Sequence, residues 1–240
     1  MQINNYKLSV DNALFKIAEI SANHNGSLDR AKKTIEAAKR SGADAVKLQT
    51  YTADTITIDC DKDEFILNDG IWSGRKLYDL YQEAHTPYEW HKELFEYSSS
   101  IGLICFSTPF DKSAVDLLES LNTPAYKIAS FELTDHPLIA EVSRTGKPLL
   151  MSTGASSEIE IAEALHVARE SGARDILLFH CVSAYPARLE ESNIRTISYL
   201  AKTFDVEVGL SDHTLGSDAA VLAIGQGAVA LEKHFTLDRN

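Results

Sequence analysis

Two lysines stand where lysines are unusual. Lys47 lies in AVKLQ at 45–49 and Lys127 in YKIA at 126–129, both otherwise apolar runs of strand type. A strand with no free edge gives an ammonium no route to water, so each needs an anionic partner inside the fold. A phosphate or carboxylate ligand would supply one. Gln49 sits two residues beyond Lys47 and points to the same face. Hydroxyls close other runs at Thr108, Ser130, Ser152 and Ser211. Together they suit an anion site, although each alone reads as a turn or cap residue. His213 and His234 end two consecutive runs. Imidazoles that meet at one mouth favour Mn, Zn, Fe or Co over Ca, and spacing selects none of these. Glu19 and Glu232 are candidate acid–base groups or partners of metal ligands; the plainer reading pairs each with a nearby lysine. Glu132, Ser183 and Tyr185 add polarity after the fourth and sixth runs.

Other reactive side chains read as structural. His180 adjoins Cys181, but successive strand residues face opposite sides, so no nucleophilic dyad is expected there. Cys105 and Cys181 read as inert packing. His24 reads as a loop residue, and His85, His91, His136 and His166 read as surface residues. No Walker A, dinucleotide glycine fingerprint or HExxH pattern occurs.

The elements that must position these groups follow from a recurring pattern. A helix-like stretch ends in Gly, then a short apolar run follows, as at Gly42, Gly102, Gly146, Gly172 and Gly227. The apolar runs number eight: 15–20, 45–49, 104–108, 126–129, 149–152, 176–180, 207–211 and 230–235. They lack clean alternation, as expected of strands buried on both faces. Helices are expected at 28–40, with Ser27 as N-cap, and at 158–170, with Ser157 and Glu160 as a capping box. Residues 88–100, 113–121, 136–144, 190–203 and 216–226 complete the set. Strand–helix alternation predicts an α/β fold, a (β/α)8 TIM barrel, with a doubly wound sheet as the competitor. In a barrel the polar run ends gather at one mouth. Residues 1–14 suggest a hairpin capping the opposite end, and residues 50–87 are too long for an ordinary connection, which marks them as functional. The chain stops after the eighth run, so the last helix is expected to be missing through truncation.

Composition narrows the class. The 240 residues are 44% hydrophobic and 24% charged, enough for a large core. A net charge of −12 argues against nucleic acid or an anionic membrane as partner. No run of 18 apolar residues occurs, and MQINNYKLSV is no signal peptide. Three cysteines make a disulfide framework improbable and a reducing cytoplasm the expected compartment.

AEISANHNGS at 18–27, GADAVKLQTY at 42–51, FSTPFD at 106–111, YKIASFE at 126–132, MSTG at 151–154, SDHT at 211–214 and LEKHFTLDR at 231–239 resemble the sialic acid synthase family in order and spacing. The resemblance covers about residues 15–239. It implies a transferase that condenses phosphoenolpyruvate with an open-chain N-acetylated amino sugar, releasing a nonulosonic acid and phosphate. LYDLYQEAHTPYEWHKELFEY at 77–97 and HCVSAYPA at 180–187 are closer to the pseudaminate branch, whose sugar is a 2,4-diacetamido-2,4,6-trideoxy-altrose. Ser183 stands where the N-acetylneuraminate branch more usually carries Asn.

The resemblance assigns His213 and His234 to a divalent metal, Mn2+ or Mg2+. It assigns Lys47, Thr108, Lys127, Ser130, Ser152 and Ser211 to phosphoenolpyruvate, and Gln49, Glu132, Ser183 and Tyr185 to the sugar. Glu19 is placed beside the metal and the reacting carbons as the catalytic residue, either accepting the proton of the attacking water or stabilising the cation. It further implies that residues 1–240 are the synthase barrel of a longer, homodimeric protein with a small antifreeze-like C-terminal domain. The alternatives are N-acetylneuraminate or legionaminate synthesis within the family. Outside it, they are a non-catalytic sugar or phosphate-binding barrel and a metal-dependent hydrolase.

Overall fold

The computed structural model describes residues 1–68 and 72–239. Eight parallel strands close into a barrel: β3 (Phe15–Glu19), β4 (Ala45–Thr50), β5 (Ile104–Pro109), β6 (Tyr126–Ile128), β7 (Leu149–Ser152), β8 (Ile176–Cys181), β9 (Glu207–Asp212) and β10 (Ala230–His234). Before them β1 (Gln2–Ile3) and β2 (Tyr6–Lys7) form an antiparallel hairpin. Closure decides against the doubly wound sheet, because β10 pairs with β3.

The helices alternate with the strands as their caps dictate. They are α1 (Leu28–Arg40), α2 (Ala53–Ile56), α3 (Leu77–Ala84), α4 (Tyr88–Ser100), α5 (Lys112–Ser120), α6 (His136–Arg144), α7 (Glu158–Glu170), α8 (Thr196–Phe204) and α9 (Asp218–Gly225). Ser27 caps α1 by accepting from the Arg30 N–H, and Ser157 with Glu160 forms the capping box of α7. The chain leaves α1 through Gly42 at φ +85°, a left-handed conformation that costs glycine little.

Two layers of apolar side chains hold the barrel. Val46, Leu48, Ile128, Met151 and Leu178 face out and pack under the helices. Phe15, Ile17, Phe106, Leu150, Leu177 and Phe179 fill the lower interior, where Ile3 and Leu8 plug the end as the hairpin expectation required. Gly209 lets β9 approach its neighbours: a Cβ there would lie 2.5 Å from Phe179 Cε1 and 2.7 Å from Ala230 O.

Three expectations need correction. The helix expected at 190–203 is split into a 3-10 turn at Leu189–Glu191 and α8, because Asn193 takes a left-handed φ of 43° that no α-helix tolerates. The stretch 50–87 is not a bare loop; it carries α2, a 3-10 turn at Asp63–Phe65 and α3. His91 is not a surface residue. It lies on the inner face of α4 with Leu94 and Ser98, fully buried, and its Nε2 meets Thr50 Oγ1 at 2.8 Å. Thr50 Oγ1 in turn meets Ser107 Oγ at 2.6 Å, so the ring's polarity is satisfied inside.

Candidate active site

Parallel register brings the polar residues to one height. His234 lies beside Glu19, Glu19 beside Lys47, and Gln49 beside Thr108. All the residues singled out from the sequence for binding or catalysis line one cavity of about 410 Å³ at the C-terminal mouth: Glu19, Lys47, Gln49, Thr108, Lys127, Ser130, Glu132, Ser152, Ser183, Tyr185, Ser211, His213 and His234. Tyr51, Ile56, Tyr81 and Phe110 share the same lining without standing out in the sequence. For the first three the advance signal is the length of the 50–87 connection; Phe110 lies outside it, directly after β5. Cys181 also lines it, facing inward as alternation predicts, with Sγ 3.7 Å from His213 Nδ1 rather than against His180.

The lysines find their counter-charges within the chain, not only in a ligand. Lys47 Nζ contacts Glu19 directly and lies 3.9 Å from Glu232; Lys127 Nζ lies 3.6 Å from Glu232. Lys47 donates to Thr108 Oγ1 at 3.1 Å and Lys127 to Ser152 Oγ at 2.6 Å. Ser211 donates to Glu232 Oε1 at 3.0 Å. Burial works against every charge here. For Lys47 it is outweighed by Glu19 and Glu232, which hold the ammonium above its ordinary range. For Lys127 burial prevails, aided by repulsion from Lys47, and the pKa falls. Glu232 is held well below the carboxylate range because Lys127 and Lys47 overcome its burial. The four groups form a balanced cluster, with two positive and two negative charges, that an incoming anion must rearrange.

The histidines are oriented from behind. His213 Nδ1 lies 2.8 Å from the Val182 carbonyl, so that nitrogen carries the proton and donates. His234 Nδ1 lies 3.3 Å from Ser21 Oγ, whose single proton goes to Glu19 Oε1 at 2.7 Å; His234 therefore donates to Ser21. In the neutral form each ring therefore presents an unprotonated Nε2, and the ring centroids lie 5.4 Å apart. Asp212, bonded to the Thr214 N–H and hydroxyl and to Lys233, braces the turn that carries His213. Two neutral imidazoles oriented this way fit a divalent transition ion. Among the described residues no third His, Cys, Asp or Glu groups with them to hold one, so such an ion would draw its remaining ligands from substrate and water.

After β8, Tyr185 packs against His213 at 4.2 Å between ring centroids. Gly154 must be small, since a Cβ would meet Ser183 Oγ at 2.6 Å and Ser130 Oγ at 3.0 Å. Its N–H donates to Ser130 Oγ, fixing that hydroxyl at the rim. Glu132 Oε2 is buried without a hydrogen-bond partner, and burial raises this carboxyl's pKa.

Fold and site together define a (β/α)8 barrel whose mouth can hold an anion and a divalent cation side by side. The NeuB family matches residues 34–240. Pseudaminic acid synthase of Campylobacter jejuni is 46% identical over 240 residues, covering 100% of this chain and 69% of that protein. Pseudaminic acid synthase of Helicobacter pylori is 47% identical over 224 residues, covering 93% and 66%. The solved N-acetylneuraminic acid synthetase of Leptospira borgpetersenii superposes with a TM-score of 0.89 at 28% identity, covering 100% of this chain and 79% of that one. The chain belongs to the NeuB family, the sialic acid synthases that its motifs resemble. It spans about two-thirds of the length of the curated relatives it matches.

Proposed function

We propose that this chain is the barrel of a pseudaminic acid synthase, condensing phosphoenolpyruvate with 2,4-diacetamido-2,4,6-trideoxy-altrose. The observation that carries the reading is 46% identity across the whole chain to a pseudaminic acid synthase. The Lys47/Lys127 cluster beside the two oriented histidines supports it. Lys47 and Lys127 bind the phosphate and carboxylate, with Thr108, Ser130, Ser152 and Ser211 completing the cradle. They hold phosphoenolpyruvate so that its C3 faces the sugar aldehyde carbon. His213 and His234 hold Mn2+ or Mg2+, which when bound supplies Lewis-acid polarisation of the aldehyde.

Bond formation between C3 and the aldehyde carbon leaves positive charge at C2. Glu19, held at the mouth by the Ser21 N–H and hydroxyl, stabilises that charge and takes the proton of the water that attacks C2. The former aldehyde oxygen becomes a hydroxyl by taking up the proton that Glu19 removed; the C2–O bond to phosphate then breaks as the C2 hydroxyl becomes the ketone, its proton leaving with the phosphate, and the two lysines balance the departing charge. Gln49, Glu132, Ser183 and Tyr185 grip the sugar.

The chain spans 69% of the length of the Campylobacter jejuni synthase, which leaves room in a protein of that length for a further domain. Among the described residues no helix is long and apolar enough to cross a membrane. The test is phosphate release by the full-length protein with Mn2+, comparing the trideoxy sugar, N-acetylmannosamine and no sugar. Release that requires the trideoxy sugar is expected. Preference for N-acetylmannosamine would move the assignment to the N-acetylneuraminate branch.

A further inference from the structure

The mouth has two unlike sides. Strand order sets β4 and β5 across the barrel from β8 and β9. Tyr51 and Phe110, which follow β4 and β5, therefore stand opposite Tyr185 and His213. Tyr51 is buried and packs edge-on against Tyr81 of α3 at 5.7 Å and against Phe110 at 5.4 Å. Ile56, the last residue of α2, lines the same side. This wall carries no charge, whereas the rest of the lining is dominated by ionic and hydroxyl groups.

An apolar wall inside a polar sugar site asks for an apolar part of the ligand. Resting on the synthase reading above, we propose that Ile56, Tyr81 and Phe110 form a specificity subsite for the deoxygenated C6 methyl end of the hexose. The aldehyde end is held at the histidines, so the chain's far end reaches across the mouth to this wall. Burying a methyl against the Ile56 side chain and the Phe110 ring removes it from water, whereas a 6-hydroxyl placed against those two would give up hydration. Tyr51, in the same wall, packs edge-on against both Tyr81 and Phe110 and sets their angle. Helices α2 and α3 therefore act as the specificity element of the barrel, since they contribute Ile56 and Tyr81.

An apolar pocket discriminates against an added hydroxyl by about 100-fold at most. The test compares kcat/KM for the trideoxy sugar and its 6-hydroxy counterpart in the full-length protein with Mn2+. The unaltered enzyme should favour the deoxy sugar by roughly 10- to 100-fold. Ile56→Asn should shrink that ratio at least tenfold, mainly through KM for the sugar, with KM for phosphoenolpyruvate unchanged. Ile56→Ala removes the contact without adding polarity and should lower kcat/KM for the deoxy sugar about tenfold. Ile56 is only partly buried, so both variants should keep the cooperative melt of the parent. Turnover of the trideoxy sugar with its preference unchanged in both folded variants would overturn the subsite alone. No turnover of any hexose by the parent would instead overturn the synthase reading, and the subsite with it.

Discussion

Lys127 stands at the centre of the charged cluster, beside Glu232 and Ser152. Burial, with Lys47 nearby, lowers its pKa, so it surrenders its proton at a lower pH than an ordinary lysine. Phosphoenolpyruvate binding should therefore weaken on the alkaline side before free lysine chemistry would predict. Lys127→Arg, whose guanidinium does not titrate in that range, should remove this alkaline rise in KM at some cost in geometry. Steady-state pH profiles of the two proteins decide it; coincident alkaline limbs would assign the titration elsewhere. At the opposite pole of the site, His213→Ala or His234→Ala should weaken Mn2+ binding by at least tenfold, read by electron paramagnetic resonance without substrate.

Much of this chemistry was legible in the residues themselves. An ammonium inside an apolar run has few explanations, and two of them at strand ends have fewer. What the run of letters could not convey was that Glu19 and Glu232 would reach those lysines, because strand register and barrel closure set that pairing. Nor could the sequence show which His was buried: His91 sits on a helix of mixed polarity, and only the packing of α4 against β4 and β5 reveals Thr50 as its partner.

Among the elements, β9 and the α4 interface make the sharpest demands. Gly209→Ala would force a methyl against Phe179 and the Ala230 carbonyl. Overpacking of this kind costs about 1–3 kcal/mol. In a chain of this size each kcal/mol lowers Tm by roughly 2–4 °C, measurable by calorimetry. The His24 and His91 rings are neutral in the fold, burial holding each pKa near about 4. In the unfolded chain they titrate near the ordinary histidine value of about 6.5. Their contribution is therefore complete above about pH 6.5 and is lost as pH falls toward about 4. Denaturant melts across that window should show stability falling with acid, and His91→Gln should flatten the slope while lowering stability at neutral pH. The regular elements were readable because capping and glycine signals coincide, as at Ser157 and Gly42. The helices inside 50–87 were not, since α2 is a single turn and α3 has no side-chain N-cap bond.

At the scale of the whole molecule, the barrel divides its labour by end. The hairpin plugs the lower end with Ile3 and Leu8, and the upper end is left to polar groups. Leu8→Ala should therefore cost about 2–5 kcal/mol of stability through the cavity it leaves. It should leave KM values unchanged, because the plug lies at the far end from the mouth. An overall charge of −12 makes the local cations at the mouth the principal attraction for an anionic substrate, so KM for phosphoenolpyruvate should rise with added salt.

Joining two carbon skeletons, and not merely hydrolysing a phosphate ester, is the reaction proposed for the mouth. It is tested most directly by following phosphoenolpyruvate labelled with carbon-13 at C3 by NMR, with the trideoxy sugar, Mn2+ and the full-length protein. The label is expected in the C3 methylene, next to C2, of a nine-carbon acid, with one phosphate released per molecule formed. Label appearing instead in the methyl group of pyruvate would contradict it.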